Sequence, residues 1–62
     1  MCLSTAYKTA GDEQDMICEF VSGIDVEDGK VILTDILGER IAVDGVLKKI
    51  DLVGGVVVIG AA

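Results

Sequence analysis

The sequence predicts an all-β domain, a small SH3-like or Sm-like barrel or meander of five to six strands. Three observations carry this. The chain has no Pro, and its apolar residues follow no sustained helical period. Runs of β-branched and aromatic residues recur along its length, as strands require. Gly or Asp-Gly turns bound those runs at short spacing, as in a meander of mostly short strands. The 62 residues allow one domain, 1–62. A domain of that size buries only about 60% of its unfolded surface, so its core needs supplementing.

Leu3 to Thr9 reads as the first strand, with two Thr and Tyr7. Ala10 to Gln14 holds Gly11-Asp12-Glu13 and is the turn that follows. Met16 to Glu27 is long for a strand and carries Ser22-Gly23 in its interior. Glycine there marks a bulge or bend, and bending of this kind is what a small barrel requires. Asp28-Gly29 is a strong hairpin signal, because a type I′ turn needs positive φ at both central residues. Lys30 to Ile36 returns as a strand, Leu37-Gly38-Glu39 connects tightly, and Arg40 to Asp44 alternates Ile41 and Val43 with polar or small residues. After Asp44-Gly45 comes Val46 to Val53. Gly54-Gly55 is read as a two-residue hairpin into Val56 to Ile59.

Parity along these strands predicts a core of Leu3, Met16, Cys18, Phe20, Val31, Leu33, Ile41, Val43, Ile50, Leu52 and Val57. Cys18 shares parity with Met16 and Phe20, which makes it a small buried hydrophobe rather than a ligand. Val56 to Ile59 is apolar on both parities, whereas a strand with one wet face alternates. A second face of this kind needs cover, either from a twofold homodimer, the commonest closed solution and the preferred expectation, or from burial of Val56 to Ile59 as a central strand inside one monomer.

Charge and composition exclude several functions. Eleven Asp and Glu against five Lys and Arg leave a net charge of −6. Lys48-Lys49 is the only adjacent basic pair, and Tyr7 and Phe20 are the only aromatics. Phosphate neutralisation and base stacking both lack their residues, so nucleic-acid binding is disfavoured. No His is present, which removes the commonest general base and rules out a Ser-His-Asp set. Asp28 and Asp44 precede Gly in turns, as solvated turn carboxylates do. A non-enzyme is expected. No signal-peptide pattern and no apolar run of membrane-spanning length is present, so the two thiols are read as reduced and the protein as cytoplasmic, with no membrane association.

The opening Met1-Cys2-Leu3-Ser4 is the stretch with chemical potential. Cys2 sits beside the backbone amine. If Met1 is trimmed, the amine and thiolate of Cys2 chelate together; if it stays, the Met1 amine, Cys2 amide and Cys2 sulfur close fused rings. Thiolate with strong nitrogen donors in a tetragonal site suits Ni(II) or Cu(II).

This opening, with Val26-Glu27-Asp28-Gly29-Lys30-Val31-Ile32-Leu33-Thr34-Asp35 and Lys48-Lys49-Ile50-Asp51-Leu52, resembles the CooT family over essentially the whole chain. The resemblance implies a small dimeric Ni(II)-binding protein that accompanies maturation of nickel-containing carbon monoxide dehydrogenase. The family's ligand, the Cys after the initiator Met, maps onto Cys2. Two metal geometries then compete: one ion per chain, held by the terminal amine, the Cys2 sulfur and the Leu3 and Ser4 amide nitrogens, or one ion shared by two chains through an amine and a Cys2 sulfur from each. The shared ion is the preferred expectation. The partners expected are a second copy, the nickel ion, and the dehydrogenase or its maturation proteins. The alternative is a metal-free β-barrel interaction module, RNA binding included, whose N-terminal Cys is incidental.

Overall fold

The structure, a computed structural model, describes residues 4–61. Six strands and no helix make up those residues: β1 (Ser4–Ala10), β2 (Glu13–Glu27), β3 (Lys30–Asp35), β4 (Arg40–Asp44), β5 (Val46–Asp51) and β6 (Val56–Gly60). They form one sheet in the order β4-β3-β2-β1-β6-β5, curled into a half-barrel. All neighbours are antiparallel except β1 and β6, whose parallel pairing departs from a simple meander. The two edge strands, β4 and β5, are joined by Gly45 alone, so the sheet must roll until its edges meet at that residue.

Gly45 makes that corner possible. Its φ of +142° lies outside the range of L side chains, and a Cβ there would collide with the Gly60 carbonyl oxygen. The Gly45 amide donates to the Gly29 carbonyl at 3.1 Å, tying the corner to the β2–β3 turn. That turn is the type I′ pair expected, with positive φ at both Asp28 (43°) and Gly29 (75°).

β2 serves two neighbours. Its first half pairs with β1 and its second half with β3, and three irregularities let it bend between them. Ile17 is an extra residue between the Ala6/Cys18 and Tyr7/Met16 pairs. A second extra residue falls between Cys18 and Val21, where Phe20 takes a φ of +57°. The third shift, between Val21 and Gly23, is the bend expected at Ser22-Gly23.

These bulges correct the expected core. The buried apolar residues are Ala6, Cys18, Val21, Val31, Leu33, Val43, Val57 and Ile59, with Ile17, Ile24 and Leu47 packed against them. Cys18, Val31, Leu33, Val43 and Val57 were expected. Met16 and Phe20 are exposed instead, because a one-residue slip turns each following side chain to the opposite face. Val21 takes the inward place assigned to Phe20. Ile41 and Ile50 keep inward parity, opposite Leu33 and Val57, but belong to the edge strands and stay partly open along the seam. Leu52 lies in a turn and is exposed. Leu3 is outside the described residues.

Several boundaries also shift. The β1–β2 turn is only Gly11-Asp12, so β2 begins at Glu13 rather than Met16. β3 ends at Asp35, and the following turn includes Ile36. β5 ends at Asp51, and the connection to β6 is the four residues Leu52 to Gly55 rather than Gly54-Gly55. Asp51 explains the longer turn. Its Oδ1 accepts from the amides of Val53 (3.1 Å) and Gly54 (2.9 Å), an Asx-type arrangement that holds the chain out before it returns.

Candidate functional site: the barrel mouth at the start of β1

Of the residues expected to hold metal, Cys2 and Leu3 lie outside the described residues. Ser4 is the first residue of β1 and is buried. The chain is gripped on both sides as soon as it enters the sheet. Ser4 lies opposite Val21 of β2, Thr5 lies opposite Val56 of β6, and the Thr5 amide donates to the Gly55 carbonyl at 2.8 Å.

The mouth here is a cavity of about 270 Å³ lined by Ser4, Val21, Ser22, Gly23, Ile24, Leu52 and Val57. It exists because β2 bends where it passes from β1 to β3, while the long β5–β6 turn stands across from that bend. Gly23 sits close to Thr34, with a hypothetical Cβ 3.6 Å from the Thr34 Cβ. The Ser22 hydroxyl lies 3.1 Å from the Thr34 carbonyl and 3.0 Å from that of Asp35, and so braces the bend against the end of β3. Asp35 in turn orders the β3–β4 turn, its Oδ1 accepting from the amides of Leu37 (2.9 Å) and Glu39 (3.0 Å).

Cys18 lies on the inner face opposite Ala6, and its thiol donates to the Glu19 carbonyl at 3.5 Å. Burial raises its pKa, and the negative charges of Asp35, Glu19 and Glu39 raise it further. Thiolate is the form that binds metal, so this environment opposes ligation and agrees with Cys18 as a core residue. Among the described residues, no three His, Cys, Asp or Glu side chains converge as a metal site. None of the described residues belongs to a helix able to cross a membrane.

Sequence reasoning singled out the N-terminal residues but did not see the mouth beside them. Val21, Ile24 and Leu52 come together only through the bulges and the four-residue turn. The one signal available was Ser22-Gly23, which marked the bend without saying which residues would line it.

The family model described as CO dehydrogenase accessory protein CooT matches residues 1–60. The fold is similar to the crystal structure assigned as CooT from Carboxydothermus hydrogenoformans, with a TM-score of 0.88 and 21% identity over 98% of each chain. No curated relative matches the chain.

Proposed function

Because the chain belongs to the CooT family of CO dehydrogenase accessory proteins, we propose that it is a cytoplasmic, non-catalytic nickel carrier or store that assists nickel insertion into carbon monoxide dehydrogenase, with Ni(II) held through Cys2. The observation that supports this most is the span of the family match, which begins at Met1 and so takes in Cys2. The chemistry of the two thiols supports it as well. Cys18 is buried and biased toward its protonated form, whereas Cys2 stands beside the backbone amine and can supply nitrogen and sulfur to one ion. Leu3 and Ser4 amides complete the donor set if one chain wraps its own ion. Nickel is cargo here rather than a resident cofactor.

The carrier is a homodimer in this reading. Val57 and Ile59 fill the inner face of β6, while Val56 and Val58 turn outward and are half-buried. Register places Val58 beside Tyr7, and Tyr7 beside the exposed Met16, as one outward row across β6, β1 and β2. A second copy on that row covers the face that the alternation rule leaves unexplained, and sets two β1 strands, with their N-terminal donors, in one assembly. One Ni(II) shared by two Cys2 residues is the stoichiometry this reading prefers over one ion per chain.

Nickel titration followed by thiolate-to-nickel charge-transfer absorption, with native mass spectrometry for stoichiometry, tests the reading. Cys2→Ser is expected to keep the dimer and lose tight nickel binding. Affinity is expected to fall steeply as pH drops, because the thiolate and any amidate donor must shed protons before they bind. Unchanged nickel affinity in Cys2→Ser ends this reading. Copper is expected to bind at least as tightly in vitro.

A further inference from the structure

The β3–β4 turn and the Phe20 bulge meet at one corner of the molecule, where the Ile36 amide donates to the Phe20 carbonyl at 3.1 Å. Three large apolar side chains are displayed there: Phe20 is 50% exposed, Ile36 53% and Leu37 82%. Scattered apolar residues on a surface need no explanation, but a cluster rimmed by charge marks an interaction site. The rim is Glu19, Asp35 and Glu39. Glu19 adjoins Phe20 in the chain, and the Asp35 Oδ1 that accepts from the Leu37 and Glu39 amides lies within the same turn. Arg40, next in sequence, directs its guanidinium to Asp25 at 3.6 Å.

Phe20 reaches this position at a conformational cost. A left-handed φ is rare for a bulky side chain, and such strain gathers where a surface has a task. Here it delivers Val21 to the core and turns the phenyl ring outward.

We infer that this corner, with Phe20, Ile36 and Leu37 as anchors and Glu19, Asp35 and Glu39 as rim, docks a segment of carbon monoxide dehydrogenase that carries apolar side chains flanked by Lys or Arg. Charge complementarity selects the occupant. A second copy of this chain, at net charge −6, brings like charge to an acidic rim, whereas a basic segment is attracted and steered to it. Position adds the functional consequence. Val21, the neighbour of Phe20, is the residue opposite Ser4, so a client held here lies beside the first residue of β1. The inference rests on the dehydrogenase as the client in the reading above, and it assigns the surface that would bring the client to the metal.

The test is binding of apo carbon monoxide dehydrogenase to the immobilised full chain by biolayer interferometry, at low and high salt, with nickel titration of the same variants. Phe20→Asn with Leu37→Ser removes two anchors, and Asn tolerates the left-handed backbone. Glu19→Lys with Glu39→Lys reverses the rim. Each pair is expected to weaken dehydrogenase binding at least tenfold while nickel binding stays at the wild-type level, and raised salt is expected to weaken the wild-type complex. Leu37→Ser alone, on a turn residue 82% exposed, carries the test if the Phe20 variant folds poorly. Wild-type affinity in both variant pairs overturns the inference and leaves the nickel reading standing, as does a wild-type chain that takes nickel but never binds the dehydrogenase. Loss of the homodimer with dehydrogenase affinity intact assigns the corner to self-association and also overturns it. Docking that persists in a chain unable to hold nickel keeps the corner and removes the carrier reading.

Discussion

Gly45→Ala is the substitution that most directly tests how the barrel is closed. Two penalties combine at this residue. The φ of +142° belongs to a region that is essentially glycine's own, and holding an L side chain there costs on the order of 1–3 kcal/mol. In addition, the new methyl meets the Gly60 carbonyl oxygen and stands 3.2 Å from the Ile59 Cγ2, so backbone rather than a flexible side chain must yield. Gly11→Ala supplies the control. Gly11 also has positive φ, at 63°, but a Cβ there meets nothing within 4 Å, so only the left-handed penalty of about 1–2 kcal/mol applies. A domain of 62 residues has a total stability of roughly 3–9 kcal/mol. Gly11→Ala is therefore expected to lower Tm by about 4–8 °C per kcal/mol lost and leave a folded protein. Gly45→Ala is expected to remove at least about twice as much stability, roughly 2–4 kcal/mol and so a large share of the total. Urea unfolding followed by far-ultraviolet circular dichroism, at one fixed protein concentration because dimerisation adds to apparent stability, measures both. A Gly45→Ala midpoint equal to or above that of Gly11→Ala refutes the argument that close approach at Gly60 closes the sheet.

Leu33→Ala empties a fully buried site among Val31, Val57 and Ile59 and is expected to cost about 2–5 kcal/mol, read from the same urea curves. Asp51→Ala removes the acceptor of two turn amides and is expected to cost about 1–2 kcal/mol, with raised amide exchange confined to Val53 and Gly54. The raised pKa of Cys18 predicts a pH effect of definite sign. The unfolded chain releases this proton first, so stability is complete below about pH 8.5, the ordinary thiol value, and falls as pH rises from there toward the higher folded pKa. Cys18→Ala is expected to abolish that alkaline decline, and a decline of equal size in Cys18→Ala would assign it to other groups. Arg40→Ala breaks an exposed ion pair with Asp25 and is expected to change stability by less than about 1 kcal/mol.

Local chemistry was sufficient for some of this molecule. Asp28-Gly29 had to be a type I′ hairpin, because the two residues that tolerate positive φ stood together between alternating runs. Val31, Leu33, Val43 and Val57 were legible as core because their strands are regular and period two assigns their faces without reference to anything distant. Ser22-Gly23 was legible as a bend for the same local reason. Net charge and the lack of His bounded the chemistry, and the position of Cys2 beside the backbone amine pointed to the metal expectation. Only the tertiary structure decided what happens past each bulge. The slips at Ile17 and Phe20 arise because β2 must satisfy β1 and β3 at once, and each slip inverts parity, so that Met16 and Phe20 lie outside while Val21 lies inside. Ile41 and Ile50 show the complementary case: their parity was correct, but burial depends on a neighbouring strand, and the sheet leaves β4 and β5 as its edges. The mouth beside Ser4 and the acidic, apolar corner at Phe20 are both made where residues distant in sequence meet, across a bend whose location periodicity suggested and whose consequences only long-range pairing determines.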